Sequence, residues 1–524
     1  MDCDVIVVGS GFGGAVTACR LAEAGHQLIL MERGRRWDRS NYPRTDKDLW
    51  WWDQNAPEKW NGWLDLRVFR SMAVAQGAAV GGGSLIYANI SAVPDRGIFA
   101  SGWPEEINWN VMAPHYETVG RMMNVQSVPD GQWPRRMQLL QEAANAVSEG
   151  ARFEKLELAV AFDPSWSYQL GDPFELRHSK RFINAHGVEQ GTCVHLGNCD
   201  IGCEADARNT LDRNYLVVAE RHHADIRPLH LVTGLELVGG GYRVHYDRLE
   251  AGRRVPGSAT ARLVVVAAGS LGSTELLLRC RDELGTLPRI SARLGDNWSS
   301  NGDFLTPAFY PSREVQPTQG PTITSAINFL DRSQGGNAFW IEDGGFPNVV
   351  ANWLRSARSG HPQVQAFLQF VAAAMRQYGP LENVMPWFAQ GVDAADGRLH
   401  LRRRWWPFGA RELDLDWPTE DSRKVIEAII AMHKRLSKAT GGEALVPPSW
   451  SIDSYLITPH PLGGCNMGRG SDSAVVDHKG EVFGYRNLFV IDGAIVPMAL
   501  GVNPSRTIAA LAEHASQSIV AEDR

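Results

Sequence analysis

A short apolar run, Asp4 to Val8, leads directly into Gly9-Ser10-Gly11-Phe12-Gly13-Gly14, and a small-residue stretch from Ala15 to Ala24 follows. Gly9, Gly11 and Gly14 fit G-x-G-x-x-G in the context that gives this pattern meaning, with a strand before it and a helix after it. Gly9 permits the tight turn, Gly11 lets the backbone approach a pyrophosphate, and Gly14 lets helix and strand pack closely. The helix N-terminus offers unpaired N–H groups and a partial positive charge to phosphate oxygens. Gln27 to Met31 reads as the second strand, and Glu32 at its end is placed to take ribose hydroxyls. The expectation is a dinucleotide-binding sheet. The fingerprint alone does not separate NAD from FAD.

The sheet is completed far along the chain. Leu263 to Ala267 is another apolar run, ended by Gly269, with a helix from about Ser273 to Cys280. Leu488 to Ile491 is a strand ended by Asp492-Gly493, and Pro504 to Val520 is a helix. Uninterrupted apolar runs followed by helices indicate a buried parallel sheet. Between these pieces, Trp37 to Trp109 and Asp303 to Pro459 are rich in Trp, Pro and polar residues. There Val425 to Leu436 has helical apolar spacing and Arg411 to Trp417 alternates like a strand. The expected fold is α/β: a Rossmann-like FAD-binding domain with an inserted α+β substrate-binding domain, a mixed or antiparallel sheet plus helices. Residues 1–40, 205–302 and 475–524 are assigned to the first domain. Residues 41–204 and 303–474 go to the second, including the glycine loop at 77–84. Such a discontinuous arrangement suits a flavoprotein wrapped around a buried FAD.

Composition excludes several classes. With 52 Lys+Arg against 59 Asp+Glu the net charge is −7, and no basic block suggests a nucleic-acid partner. No apolar run approaches the ~18 residues of a membrane span. The N-terminal apolar stretch runs straight into the glycine motif, so it reads as a strand and not a signal peptide, and a cytoplasmic protein is expected. A leader removed before this numbering, peripheral membrane contact and the oligomeric state stay open. Seven cysteines in 524 residues do not make a disulfide scaffold.

Three further motifs agree with the first. Gly77-Ala78-Ala79-Val80-Gly81-Gly82-Gly83-Ser84 is a second glycine loop. Pro459-His460-Pro461-Leu462-Gly463-Gly464-Cys465 sets a histidine before a turn. Asn487 to Gly493, then Gly501-Val502-Asn503-Pro504 and a helix, closes the chain. Together they resemble the glucose–methanol–choline oxidoreductase family, and Ala268 to Leu277 is especially similar to its bacterial cholesterol oxidase branch. The resemblance covers nearly the whole chain, strongly at both ends and from Leu263 to Gly302, weakly from Asp303 to Leu456.

That resemblance implies a non-covalent FAD and oxidation of an alcohol to a carbonyl, with electrons passed to O2 or another acceptor. It implies His460 as the base for the hydroxyl proton and Asn503 as its partner on the substrate oxygen or flavin edge. Asn503 before Pro504 is equally a good helix N-cap pair. Glu342, in Phe339-Trp340-Ile341-Glu342-Asp343, aligns with a carboxylate that shifts a steroid double bond; it is also readable as a strand-end acid. The flavin is expected against Gly9, Gly11, Phe12, Gly13, Gly14 and Glu32, against Gly77 and Val80 to Ser84, and against Ala268, Gly269, Asp492, Gly493, Asn503 and Pro504. Asp492 also suits a simple turn acid. Tyr87 stands where many members have Asn, with Asn89 two residues on.

Two features stay open. Cys193, Cys199 and Cys203 approximate a cluster spacing but Leu196 replaces one thiol; the choice is a structural loop or a zinc site completed by His195. Trp50, Trp51, Trp52, Trp60 and Trp63 are either a lid over the pocket or interdomain packing. A bulky apolar alcohol such as a 3β-hydroxysterol is the expected substrate. The alternatives are a dehydrogenase of a non-sterol alcohol, a non-catalytic flavin-binding protein and an NAD(P)-dependent enzyme.

Overall fold

The computed structural model describes residues 1–45, 47–349, 369, 373, 380–403 and 411–522. Its largest sheet has seven strands. Six run in the order Asp225–Arg227, Leu28–Met31, Cys3–Val8, Arg253–Val266, Gly241–Glu250, His230–Val238, and Leu488–Val490 also pairs with Arg253–Val266. Cys3–Val8 pairs in parallel with Leu28–Met31 on one side and Arg253–Val266 on the other. Val5, Ile6, Val7, Val264, Val265 and Val266 are almost completely buried, as strands covered on both faces require.

The strand expected at Leu263 begins ten residues earlier, at Arg253. Its polar N-terminal half forms an antiparallel ribbon with Gly241–Glu250, and its apolar end pairs in parallel with Leu488–Val490. One strand thus serves an exposed ribbon and a buried sheet, and only the buried part carries the apolar run. The helix expected from Ser273 likewise starts at Gly269, where Asp492 accepts a hydrogen bond from the Gly269 N–H at 2.8 Å. Helix Phe12–Glu23 lies against the C-terminal helix Ser505–Glu522.

A second sheet is antiparallel throughout, in the order Glu443–Ala444, Phe304–Phe309, Val384–Gly391, Phe339–Asp343, Ser325–Asn328, Phe153–Lys155. Helix Arg423–Ala439 covers it with Val425, Ile426, Ile429, Ile430 and Leu436 buried. The alternating stretch Arg411–Asp416 pairs with Arg398–Arg403. A third sheet joins the two halves of the site: Leu456–Thr458 runs parallel to Met72–Gly77. It thereby sets the segment before His460 beside the strand that ends in the second glycine loop.

Candidate active site

A cavity of about 940 Å³ lies between the two large sheets. Glu32, Arg33 and Trp52 line one end; Phe388, His460 and Asn503 line the other; Gly9 to Gly13, Gly82 and Gly83 lie between. Helix Phe12–Glu23 has no side-chain cap, so its first N–H groups are free for an anion. A Cβ on Gly9, whose φ is +97°, would stand 2.4 Å from the Ala267 carbonyl oxygen, so the turn requires glycine. A Cβ on Gly11, Gly83 or Gly269 would meet no protein atom within 4 Å, and all three residues line the cavity. Gly14 faces away, against the Gly9 carbonyl and Ala267, as helix–strand packing demands.

Ser10 clasps the two glycine loops together. Its Oγ donates to Glu32 Oε2 at 2.6 Å and accepts from the Gly81 N–H at 3.0 Å. Glu32 Oε2 also accepts from the Ser10 N–H, and its Oε1 accepts from the Gly34 N–H. Burial raises the Glu32 carboxyl above the usual range, and these bonds oppose the shift. Gly82, at φ +52°, brings the second loop so near that a Cβ there would sit 2.6 Å from Gly11 Cα.

The second loop needs a correction. Of the residues expected against the flavin, Gly77, Gly82 and Gly83 line the cavity, whereas Val80, Gly81 and Ser84 lie behind that wall. The Ser84 hydroxyl donates to the Gly81 carbonyl and accepts from the Leu211 N–H, which turns it away from the cavity. Tyr87 does line it, edge-on to Phe12 at 5.5 Å. Asn89 is buried elsewhere, accepting from Arg208 at 2.8 Å. Ala268, Gly269, Asp492, Gly493, Asn503 and Pro504 all line the cavity. Asp492 also acts as a turn acid, accepting from Gly269, Ser273 and Ala494.

The opposite wall is made of buried polar side chains. His460 Nδ1 stands 2.9 and 3.0 Å from the two carboxylate oxygens of Asp303, a residue that motif reading did not single out. Thr458 Oγ1 donates to Asp303 Oδ2 at 2.5 Å and accepts from the His460 N–H at 2.9 Å. An acceptor at Nδ1 places the ring proton there and leaves Nε2 as the proton acceptor. Burial raises the Asp303 carboxyl, while His460 and Thr458 pull it down.

One turn positions both halves of the expected pair. Asn301, at φ +58°, accepts from the Leu500 and Gly501 N–H groups and donates to the Val502 carbonyl, fixing the residues just before Asn503. Two residues on, Asp303 holds His460. Buried Asp393 braces that turn by accepting from Ser299, Ser300 and Gly302. The signal was a polar run, Ser299-Ser300-Asn301-Gly302-Asp303, entering an apolar strand.

Glu342 lies on strand Phe339–Asp343 and is fully buried. Gln390 donates to its Oε2 at 3.1 Å, whereas Oε1 has no partner. Burial pushes this carboxyl well above the ordinary range; Asp343 and Asp303 add to the shift, and Gln390 and Asn503 oppose it. The amide oxygen of Asn503 is likewise buried without a partner. An unpartnered amide oxygen lining an elongated, glycine-walled cavity, with an unpartnered carboxyl oxygen behind it, fits a dinucleotide cofactor and a hydroxylic substrate.

The tryptophans divide. Trp50 and Trp63 pack with Trp37 and Tyr42 behind the second glycine loop, ring centres 6.3 Å apart for Trp50 and Trp63. Trp52 lines the cavity at the Glu32 end, with the Arg33 guanidinium 4.9 Å from its ring centre. Trp51 and Trp60 are exposed. None of the five lines the His460 end, so the lid gives way to packing: large rings fill the space that the glycine loop leaves. His195 stacks on Trp166 at 4.0 Å, and its ring nitrogens face Tyr168 and Gln132, not the cysteines. Among the described residues no three His, Cys, Asp or Glu side chains converge as metal ligands.

Residues 393–512 match a GMC oxidoreductase family model, and residues 7–37 an NAD(P)-binding Rossmann-like domain. A cholesterol oxidase of Acinetobacter baumannii is 30% identical over 99% of this chain and 95% of its own length. One of Mycobacterium tuberculosis (strain ATCC 25618 / H37Rv) is 30% identical over 98% of this chain and 90% of its own. Among solved structures, pyridoxine 4-oxidase from Mesorbium loti superposes with a TM-score of 0.63 at 18% identity, covering 98% of this chain and 99% of that one. A fungal aryl-alcohol oxidase gives 0.62 at 15%, covering 99% of each. Full-length kinship and the two-walled cavity lead to one conclusion: the chain belongs to the glucose–methanol–choline oxidoreductase family, in its cholesterol oxidase branch, and is an FAD-dependent alcohol oxidoreductase.

Proposed function

We propose that the substrate is a bulky apolar alcohol of the 3β-hydroxysterol class, and that oxidation is followed by a double-bond shift. The observation that carries this reading is the placement of Glu342, a buried carboxyl with an unpartnered oxygen, which interacts with Asn503 directly behind the cavity lining that Asn503 and His460 form. Simple alcohol oxidation gives such a carboxyl no task.

In this reading His460 Nε2 accepts the carbinol hydroxyl proton while Asp303 holds the ring by Nδ1. Asn503 and Nε2 orient the oxygen so that the carbinol C–H faces the cofactor wall. Bound FAD supplies the hydride acceptor at that wall. Glu342, once ionised, takes a proton from the carbon between the new carbonyl and the double bond and returns it to the far end of the former double bond. A positioned base contributes about 10²–10⁴-fold to such steps. Leu305 and Phe388, paired across neighbouring strands, offer an apolar floor on which sterol burial supplies binding at ~25 cal/mol per Å².

The test is anaerobic mixing of the yellow protein with a 3β-hydroxysterol. Loss of the visible flavin band, with a conjugated enone as product, is the expected result. Recovery of the band on admitting air identifies O2 as the acceptor. A band that persists with sterols but bleaches with other alcohols moves the substrate elsewhere and overturns the sterol assignment.

A further inference from the structure

Asp200 lies in the short turn Cys199–Ile201, within the cysteine loop, and lines the same cavity with Thr322, Ile323, Gly344 and Gly345. Gly344 and Gly345 directly follow strand Phe339–Asp343, which carries Glu342.

The wall around Asp200 is fixed. Arg136, fully buried, donates to the carbonyls of Pro321, Thr322 and Gly344 at 2.7, 3.0 and 3.1 Å. Arg208, which also faces Asp200, is engaged by Asn89 Oδ1 and the Leu85 carbonyl. Arg136 also pairs with the buried Asp343 carboxylate at 3.3 Å, so the Nη groups of both guanidiniums are engaged away from Asp200, while Arg136 Nε has no partner. Among the described residues no salt bridge joins either to Asp200, whose near polar neighbour is the Thr322 hydroxyl. A carboxyl is thus set into the cavity wall with capacity for a further partner.

We propose that Asp200 is a specificity-determining residue that hydrogen-bonds a second oxygen function of the substrate, away from the reacting carbinol. The preferred alcohol is then not wholly apolar: it carries a hydroxyl or carbonyl at the end remote from the reacting carbinol. Burial pushes the Asp200 carboxyl up to about 7, against the pull of Arg208, the Thr322 hydroxyl and Arg136. The two guanidiniums disfavour an ammonium at this position, which leaves a neutral oxygen as the matching group. The inference rests on the alcohol-oxidising reading of the site and refines its substrate class.

The experiment uses the FAD-loaded protein and two steroids of one skeleton. Both bear a 3β-hydroxyl; one also bears a 17β-hydroxyl and the other hydrogen there. The native protein is expected to favour the diol by roughly ten-fold in kcat/KM, the worth of one buried hydrogen bond. Asp200→Leu should bring the ratio to about one, and Asp200→Asn, which still donates and accepts, should keep most of it. Visible absorbance and the melting curve report whether each variant holds flavin. If Asp200→Leu loses it, Asp200→Ser replaces it in the comparison. Equal kcat/KM for the two steroids in the native protein, or an unchanged preference in Asp200→Leu, overturns the assignment. If neither steroid reduces the flavin, the sterol reading fails on its own. The same ratio is then taken with a straight-chain primary alcohol and its α,ω-diol. A preference beyond the statistical doubling that vanishes in Asp200→Leu upholds Asp200, and its absence overturns it.

Discussion

The cofactor wall of the cavity is built from backbone, whereas the wall facing it is built from buried side chains. On the first, Gly9, Gly11, Gly82, Gly83 and Gly269 bare the main chain, and Ser10 ties one loop to the other. On the second, Asp303, His460, Asn301, Asp393 and Glu342 are held by hydrogen bonds reaching across the fold. A backbone wall depends on shape, and one extra methyl disturbs it. A side-chain wall depends on protonation and partners, and an isosteric amide disturbs it. The two walls therefore break in different ways.

The largest separation is expected at His460. His460→Ala should slow anaerobic flavin reduction by about 10²–10⁴-fold, the contribution of a positioned base, while FAD content stays native. Stopped-flow reduction and the visible spectrum measure the two quantities side by side. A variant that reduces flavin at the native rate would take the base role away from His460.

On the cofactor wall, two alanine substitutions should differ from each other. Gly9→Ala meets both a positive φ and a carbonyl at 2.4 Å, so about 1–3 kcal/mol of strain should lower the stability of the protein itself. Gly11→Ala meets no protein atom, so the chain should fold as before. Its methyl projects where a pyrophosphate would lie, and FAD should be lost on gel filtration. Melting curves and flavin content, taken together, check the pair. A Gly11→Ala protein that retains its full complement of FAD would show that the fingerprint is not the phosphate site.

The same contrast explains what was legible beforehand. Backbone walls need glycines at set spacings next to apolar runs, and such patterns are local: Gly9 to Gly14, Gly77 to Gly83 and Asp492-Gly493 could each be read in place. Even there, reading every residue of Val80 to Ser84 as flavin-facing goes too far, because the tight turn brings only Gly82 and Gly83 to the cavity and turns Val80, Gly81 and Ser84 behind it. The side-chain wall is assembled from contacts such as 303 with 460 and 301 with 500, which no spacing records. The strand Phe339–Asp343 is buried along its whole length, so it lacks the alternation that would have shown which residues face the site. Asp303 lay one residue beyond the stretch where the family resemblance is strong.

Asp303→Asn tests whether that distant contact matters chemically. It keeps the size of the side chain but removes the negative charge facing His460 as the ring gains a proton. Flavin reduction is expected to fall about 10–10²-fold, less than for loss of the base itself, with KM little changed. A purely structural Asp303 would instead lower the melting temperature and leave the rate untouched.

The smallest effect is expected from Glu342, and it is visible as a slope. Burial raises the folded-state pKa of this carboxyl above its unfolded value near 4.5. Between the two values the folded protein holds a proton that the unfolded chain has released, so stability falls as pH rises through the folded pKa. Below the unfolded value both states are protonated and no penalty exists. Glu342→Gln abolishes this dependence while keeping the shape and a hydrogen-bonding partner for Gln390. The variant should therefore melt with the native protein near pH 4 and above it at higher pH, by on the order of a degree or two. The same ionisation is the one the double-bond shift requires. The fraction of isomerised product should accordingly rise with pH in the native enzyme and be lost in Glu342→Gln, with oxidation retained. A melting gap that widens with pH and levels off where isomerisation sets in identifies a carboxyl kept in an unfavourable setting for its chemistry; a melting gap independent of pH would leave Glu342 as a packing residue of the second sheet.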